Sequence, residues 1–455
     1  MVKIGLEIHI QLKTDAKLFC KCPTDYLDVK PNSNICPICT GQPGAKPMEV
    51  NVNALENLMK IGLALNCKIV DNFVIQRKHY FYPDLPSGYQ RTSKPIGVEG
   101  RLGDVRIREV HIEEDPGRYE PRIGNVDYNR SGIPLIEIVT EPDIKSPEEA
   151  RSFLEELNSI IDYLVVGRDE PGSSRIDANI SLPKGARVEV KNINSFKGVY
   201  TALKYELIRQ KNLITRGKTI ERETRHFDDS QGVTTSLRKK ETEEDYRFFP
   251  DPDIPAINIS KEIIEKGRSK IPELPRAKAE RLVSNYKIRT EDAWTLVSEI
   301  EMANLFEKMA KKFDPEKIAF WLRGPVKKQL NYRDLTLKKS EMKSENLIDL
   351  YKIWIAEEIT EKGMEKVLIE MLDKKIKPNE AVKELGLEKI VNRSKIEKIV
   401  EKVLEKNEKV IRDYLAGEER ALNFLIGQVS KETEGKIDSR VVKKIILDII
   451  GKNRG

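Results

Sequence analysis

The chain has 455 residues, a formal net charge of +6, and 39% hydrophobic against 34% charged side chains, which is too long for one ordinary domain and implies two or three units with separate cores. No apolar run approaches the roughly 20 residues of a bilayer span, and Glu7 interrupts any would-be signal core, so a cytoplasmic protein with no membrane association is expected. Five cysteines are too few for a disulfide scaffold, which leaves metal binding or no special role for them.

Residues 2–12 alternate without a fault: Val2, Ile4, Leu6, Ile8, Ile10 and Leu12 face one way, and Lys3, Gly5, Glu7, His9 and Gln11 the other. Glu7 and His9 therefore project side by side, about 7 Å apart at Cα. Such a pair suits a hard metal or proton handling, although the solvated face of an ordinary strand gives the same spacing. Next come Cys20-Lys21-Cys22 and Cys36-Pro37-Ile38-Cys39, two thiol pairs separated by a loop, the arrangement that surrounds a tetrahedral Zn²⁺; four reduced thiols are the alternative. Cys67, in Leu63-Ala64-Leu65-Asn66-Cys67, reads as a small core residue.

Acids recur on the polar faces of later strands: Glu113 and Glu114 after Val110 and Ile112, Asp177 in Arg175-Ile176-Asp177-Ala178-Asn179-Ile180, and Glu189 with Lys191 in Val188-Glu189-Val190-Lys191. Several such strands side by side make an acidic cleft. Glu137 sits inside Ile133-Pro134-Leu135-Ile136-Glu137-Ile138-Val139, where a charge costs several kcal/mol unless a cation or hydrogen bonds meet it. Mg²⁺ would meet that need, and so would an Arg.

Ser146-Pro147-Glu148-Glu149 supplies a cap, a first-turn proline and a capping-box Glu, and Phe153, Leu154, Leu157, Ile160, Ile161 and Leu164 follow at helical spacing. That predicts an amphipathic helix packed on a sheet. Residues 181–240 hold 14 Lys or Arg against 6 Asp or Glu, a local excess of cations on which a polyanion could dock, or a solvated face with counter-charges elsewhere in the fold. Beyond Pro272 to Pro275 Gly and Pro thin out and helices take over, with a second capping box at Ser394 to Glu397 opening the stripe Ile396, Ile399, Val400, Val403, Leu404. The expected organisation is α+β: a mostly antiparallel sheet cradle with helices over 1–275, a helical domain over 276–343, and a helical tail over 344–455.

No G-x-x-x-x-G-K-[ST] loop and no G-x-G-x-x-G occurs, so any ATP site is of another kind. The Ser-rich glycine cluster of hydrolytic amidases is missing too, so nothing in the chain looks able to release ammonia from glutamine, and any nitrogen-donor chemistry would need a partner.

Long, ordered strings then resemble one family. Gly5-Leu6-Glu7-Ile8-His9-Ile10-Gln11-Leu12, Arg77-Lys78-His79-Tyr80-Phe81-Tyr82-Pro83-Asp84, His111-Ile112-Glu113-Glu114-Asp115, Asp127-Tyr128-Asn129-Arg130, Ser174-Arg175-Ile176-Asp177, Lys191-Asn192-Ile193-Asn194 and Asp245-Tyr246-Arg247-Phe248-Phe249 are similar, in order, to the B subunits of aspartyl/glutamyl-tRNA amidotransferases. The resemblance continues through Tyr414-Leu415-Ala416-Gly417 and Phe424-Leu425-Ile426-Gly427-Gln428-Val429. It implies a ligase that uses ATP and Mg²⁺ to phosphorylate the side-chain carboxylate of misacylated Asp-tRNA(Asn) or Glu-tRNA(Gln). Ammonia would come from a glutaminase, the A subunit, in a heterotrimer completed by a small C subunit, with the helical tail on the tRNA. Joined to the strand faces, it makes Glu7, His9, Glu113, Glu114, Glu137, Asp177 and Glu189 the metal ligands or their supports. Arg77, Lys78, Arg175 and Lys191 become candidates for phosphate or carboxylate binding, with structural ion pairing as the alternative. A tRNA-recruiting module without chemistry, and an ATP-dependent ligase acting on free amino acids, are the competing readings. Glu137 in its apolar strand argues against the first, and the tail against the second.

Overall fold

The architecture is that of a computed structural model, which describes every residue except 171, 184, 240–245, 388–392, 416, 434–436, 438 and 453–455. Asp245, Ala416 and the side chain of Ser394, all singled out above, lie outside the described residues. The chain divides into two compact units, Met1–Lys278 and Ala279–Gly455.

In the first unit, alternation of apolar and polar residues produces strands, and the strands build one sheet. Its members are β1 (Lys3–Gln11), β2 (Lys68–Ile69), β4 (Ile75–His79), β5 (Tyr89–Ser93), β6 (Gly97–Leu102), β7 (Val105–Glu114), β10 (Pro134–Thr140), β11 (Ser174–Ser181), β12 (Val188–Ile193), β13 (Glu223–Asp228), β14 (Val233–Lys239) and β15 (Phe249–Pro250); β3 (Asn72–Phe73) pairs with β16 (Ile257–Asn258), and β8 (Arg118–Glu120) with β9 (Asn125–Asp127). The main path runs β14-β13-β12-β11-β1-β10-β7-β5-β4-β15, with β6 joining β7 to β2. Every pairing in it is antiparallel except β12 with β13, which are parallel. That exception has a structural reason: the connection between them is a helix, α3 (Phe196–Thr215), and a crossover helix brings the chain back in the same direction.

One face of the sheet is apolar and covered. Ile4, Leu6 and Ile8 of β1, Ile136 and Ile138 of β10, and Ile176, Ala178 and Ile180 of β11 join one core with α1 (Val52–Ala64) and α2 (Pro147–Leu164). α2 begins as its sequence predicts: the Glu149 amide donates to Ser146 Oγ at 3.1 Å, and Pro147 occupies the first turn. All six of its predicted apolar positions are buried, each contributing about 1.5–3 kcal/mol. Cys67 is buried beside Gly97 and Gly100, where a Cβ on Gly100 would collide with its sulfur; burial pushes its thiol up to about 12.

Glu206 of α3, fully buried, fastens the helix to the sheet. It accepts from Arg209 Nη2 at 2.8 Å, from Gln210 Nε2 at 3.0 Å and from Thr234 of β14, and lies 3.1 Å from Arg225 Nε of β13. Burial raises its carboxyl, but the bonds from Arg209, Thr234 and Gln210 outweigh it, and the group ends below its ordinary 4.5. Such a group contributes stability that is present above 4.5 and is lost as pH falls through its lower folded value. Glu206→Gln should therefore cost about 3 kcal/mol at pH 7 and flatten the decline of stability below pH 4.5, which urea unfolding followed by circular dichroism at pH 3.5, 4.5 and 7 would show; an unchanged pH profile would refute the assignment.

The second unit is helical throughout its described residues, from Pro275–Tyr286 at the border to Ser439–Lys452. Its buried apolar side chains fall into two clusters, one over residues 279–387 and one over 396–450. Leu337 and Leu347, on either side of the expected division at 343/344, share the first cluster. The helix Arg393–Lys406 carries the predicted stripe: Ile396, Val400, Val403 and Leu404 are buried and Ile399 packs against them. Among the described residues no helix is long and apolar enough to cross a membrane.

Candidate active site

The face of the sheet opposite the core carries a cleft of about 640 Å³. Register decides which side chains meet there. Glu7 of β1 lies opposite Asp177 of β11, His9 lies between Arg175 of β11 and Glu137 of β10, Glu137 is opposite His111 of β7, and Glu113 is opposite Thr92 of β5. Residues far apart in sequence thus become lateral neighbours about 5 Å apart.

Ligand atoms of Glu7, His9 and Glu137 lie within 4.8 Å of one another, and His9 Nε2 is 3.7 Å from Glu7 Oε1. Two carboxylates and an imidazole form a donor set for a divalent cation: the oxygens suit Mg²⁺, while the nitrogen is the softer donor and would serve Mn²⁺ or Zn²⁺ as well. Glu137 is held well above the ordinary carboxyl range, first by burial and then by the charges of Glu113 and Glu7. Burial also raises Glu113, but Lys78, His9 and a hydrogen bond from Glu137 outweigh it and hold Glu113 low. Of these two neighbouring carboxyls Glu137 is thus the one that holds a proton more tightly, and a bound dication would oppose that. Glu113 is fixed by donation from Gln90 Nε2 at 2.8 Å and Thr92 Oγ1 at 3.1 Å.

Cations interleave with these acids. Lys78 of β4 is half-buried, which lowers its affinity for a proton, yet Glu113 and Glu137 hold it above its ordinary value and keep it charged. Lys191 Nζ donates to Asp177 Oδ2 at 2.7 Å and lies 3.6 Å from Glu189 Oε1. Asp177 also accepts the Asn192 amide at 2.9 Å, and despite burial these contacts hold its carboxyl below the usual range. Asp177 and Glu189 are thus occupied by Lys191 rather than joined to the Glu7–His9–Glu137 group. Arg175 reaches Asp115 Oδ1 at 2.5 Å on the cleft face.

Two of the expected site residues point elsewhere. Consecutive strand residues face opposite ways, so with Glu113 in the cleft Glu114 turns to the other side, where Arg91 Nη1 is 3.3 Å away. Arg77, next to the cleft-facing Lys78, likewise turns away: it donates to Asp251 Oδ2 at 2.9 Å and Asp253 Oδ2 at 3.2 Å and lies over the Tyr89 ring. For Arg77 the alternative of structural ion pairing is what the structure holds.

Other residues of the site stand outside the set expected from sequence. His111 shares the cleft face with Glu113 by simple alternation, and its ring contacts Ser93 O at 2.9 Å and Glu109 Oε2 at 3.3 Å. Gln90, Thr92 and Asp115 carry no local signal, because only cross-strand register brings them to the acids.

The four cysteines meet as expected. Cys20, Cys22, Cys36 and Cys39 are free thiols with sulfurs within 4.8 Å of one another, Cys36–Cys39 at 3.9 Å and Cys39–Cys22 at 4.0 Å. The edge of a ZnS₄ tetrahedron with 2.3 Å bonds is about 3.8 Å, so the set fits zinc. Lys17, fully buried, donates to Cys39 Sγ at 3.4 Å and to Tyr128 O at 3.2 Å.

Known proteins resemble this chain along nearly all of its length. Residues 2–265 match the GatB/GatE catalytic domain family and residues 304–450 the GatB domain. The chain is 51% identical over 450 residues to the B subunit of the aspartyl/glutamyl-tRNA(Asn/Gln) amidotransferase of Methanothermobacter thermautotrophicus, covering 99% of this chain and 100% of that one. It is 48% identical to the B subunit of the same enzyme from Methanopyrus kandleri, over 98% of both chains, and 48% identical to that of Methanocaldococcus jannaschii, over 99% of this chain and 98% of that one.

Proposed function

The chain belongs to the family of aspartyl/glutamyl-tRNA(Asn/Gln) amidotransferase B subunits, and from that premise we propose that its sheet cleft is where the side-chain carboxylate of a misacylated tRNA is activated and amidated. The overall reaction is that of the family: Asp or Glu esterified to tRNA becomes Asn or Gln.

A carboxylate resists direct amidation because its charge repels the amine lone pair and oxide is a poor leaving group. Activation as an acyl phosphate removes both obstacles: a carboxylate oxygen attacks the terminal phosphorus of ATP and ADP leaves, then ammonia attacks the acyl carbon and phosphate leaves. Glu7, His9 and Glu137 would hold a Mg²⁺, which would supply charge to neutralise the phosphate oxygens. Glu113, fixed by Gln90 and Thr92, keeps Glu137 in place. Lys78 and Lys191, both half-buried and charged, are the groups that would take the phosphate and the substrate carboxylate. Arg175, anchored by Asp115, flanks His9 for the same purpose.

The observation that carries this reading is the meeting of Glu7, His9 and Glu137 from two strands at ligand spacing. The thiol knuckle takes zinc in a structural role, because all four sulfurs turn to one point and leave no open position. We place the chain in the cytoplasm as the B subunit of a heterotrimer with a glutaminase A subunit and a small C subunit, and give the helical segments 276–343 and 344–455 to linking and tRNA contact. Residues 341–455 hold 24 basic and 23 acidic side chains, so tail contact depends on shape and charge placement rather than on net charge.

One assay separates this from the alternatives. The purified complex with ATP, Mg²⁺ and ammonium chloride should form amide on Asp-tRNA(Asn) or Glu-tRNA(Gln) and none on free aspartate. Product on the free amino acid, or none in either case, would dismiss it.

A further inference from the structure

Two register rows from the Glu7–His9–Glu137 group, the same cleft carries a line of cations with no counter-charge among the described residues. Lys3 of β1 is opposite Ser181 of β11. Ile180 is opposite Val188, so one step further Ser181 meets Arg187. Val188 is beside Glu223 in the parallel pairing of β12 and β13, so one step back Arg187 lies beside Arg222. Arg187 and Arg222 immediately precede the first residues of β12 and β13, so with Ser181 and Lys3 they lie in a row at one end of four adjacent strands, and all four line the cleft.

Arg222, Arg187 and Lys3 are exposed, and none of them has a hydrogen bond from its side chain or an ion pair to a described residue. On the same face Lys191 is paired with Asp177 and Arg175 with Asp115. Like charges side by side on neighbouring strands are unfavourable, so the Arg187–Arg222 pair is a feature that an anion would relieve.

We propose that this row binds the backbone phosphates of the single-stranded 3′ end of the aminoacyl-tRNA, leading its esterified residue toward Glu7, His9 and Glu137. The reading rests on the cleft being the site of activation. Length decides between the two phosphate sources in the reaction. Lys3 is four residues from Glu7 along β1, about 13 Å, whereas the phosphates of a nucleotide clasped to a metal at Glu7 stay within a few ångströms of it, at about 2 Å coordination distance. The row itself spans three strand spacings, about 14 Å, and a line of charge suits successive phosphates of a chain better than a compact triphosphate.

The test measures binding directly, so it does not depend on turnover. Filter binding of Asp-tRNA to the assembled complex should show Kd raised about tenfold in R187Q/R222Q, and the slope of log Kd against log salt reduced by about 1.4, at roughly 0.7 per single-strand phosphate. R187K/R222K should retain most of the affinity, and ATP binding should change less than twofold. With tRNA trimmed of its 3′ end the difference between wild type and R187Q/R222Q should vanish. If the double variant does not fold, R222Q alone carries the comparison. Weakened ATP binding with unchanged tRNA binding, no change in either, or a difference that survives trimming would each overturn the proposal. A complex that binds as expected but forms no amide would remove the activation reading and leave this one standing.

Discussion

Replacing Glu137 by Gln should lower ATP-dependent amidation of the aminoacyl-tRNA by about 10³-fold, the several kcal/mol that a metal's charge stabilisation supplies, while the Kd for tRNA stays within about twofold. Gln is nearly isosteric and can still hydrogen-bond to Glu113, so the sheet is not perturbed. What it cannot do is lose a proton to become an anionic ligand. Burial and the charges of Glu113 and Glu7 hold the Glu137 carboxyl well above the ordinary range; a dication would favour its carboxylate form, and an amide has no such form. A quench-flow or single-turnover assay of phosphate release with aminoacyl-tRNA, beside filter binding, separates the two effects. Equal loss of tRNA affinity and turnover would mean that Glu137 is a structural acid.

Cys39→Ser should abolish the zinc binding proposed for the four thiols and lower the melting temperature of the first unit by about 10 °C. Cys39 is buried, its sulfur is 3.9 Å from that of Cys36 and 4.0 Å from that of Cys22, and a hydroxyl is a poor substitute for a thiolate on zinc. Its loss also strips Lys17 of the one sulfur it donates to. A buried ammonium left without its counter-charge costs about 3–5 kcal/mol, and each kcal/mol is worth roughly 2–4 °C in a unit of this size. The damage spreads by a definite route: Lys17 also holds Tyr128 O, and next to it Arg130 donates to Pro116 O and Gly117 O and lies 3.6 Å from Asp115, the partner of Arg175. Metal analysis and a thermal melt monitored by fluorescence suffice, and undiminished zinc with an unchanged melt would contradict the knuckle.

What the sequence disclosed follows from how far each signal reaches. The alternation in residues 2–12 and the capped stripe of 146–164 are local, and both elements form as their patterns imply. The two thiol pairs are also local, since each pair brings its own partner, and the knuckle closes as their spacing implies. Whether Glu7 meets Asp177, Glu137 or Glu189 is set by strand order and register, which no short stretch encodes. The acids chosen from strand faces therefore divide into a candidate metal-ligand group (Glu7, Glu137), a neighbour of it (Glu113), and a pair neutralised by Lys191 (Asp177, Glu189). Glu114 is read with Glu113 as an acid of a polar face and Arg77 enters as a member of a family string, although each adjoins a cleft-facing residue, and period two alone places both on the far side. Lys17 gives no warning, because a lysine beside Leu18 and Phe19 reads as surface until the fold buries it. The row Arg222, Arg187, Lys3 is visible in the sequence only as a local excess of charge over 181–240.

The proposed chemistry requires one metal ion held by Glu7, His9 and Glu137. Crystals of the complex grown with Mn²⁺ and a non-hydrolysable ATP analogue, measured at the manganese edge, test it most directly. The expected anomalous peak lies about 2.1–2.3 Å from carboxylate oxygens of Glu7 and Glu137 and from the His9 imidazole, with the terminal phosphate as a further ligand. A nucleotide and metal bound elsewhere, with these three side chains left metal-free, would contradict it.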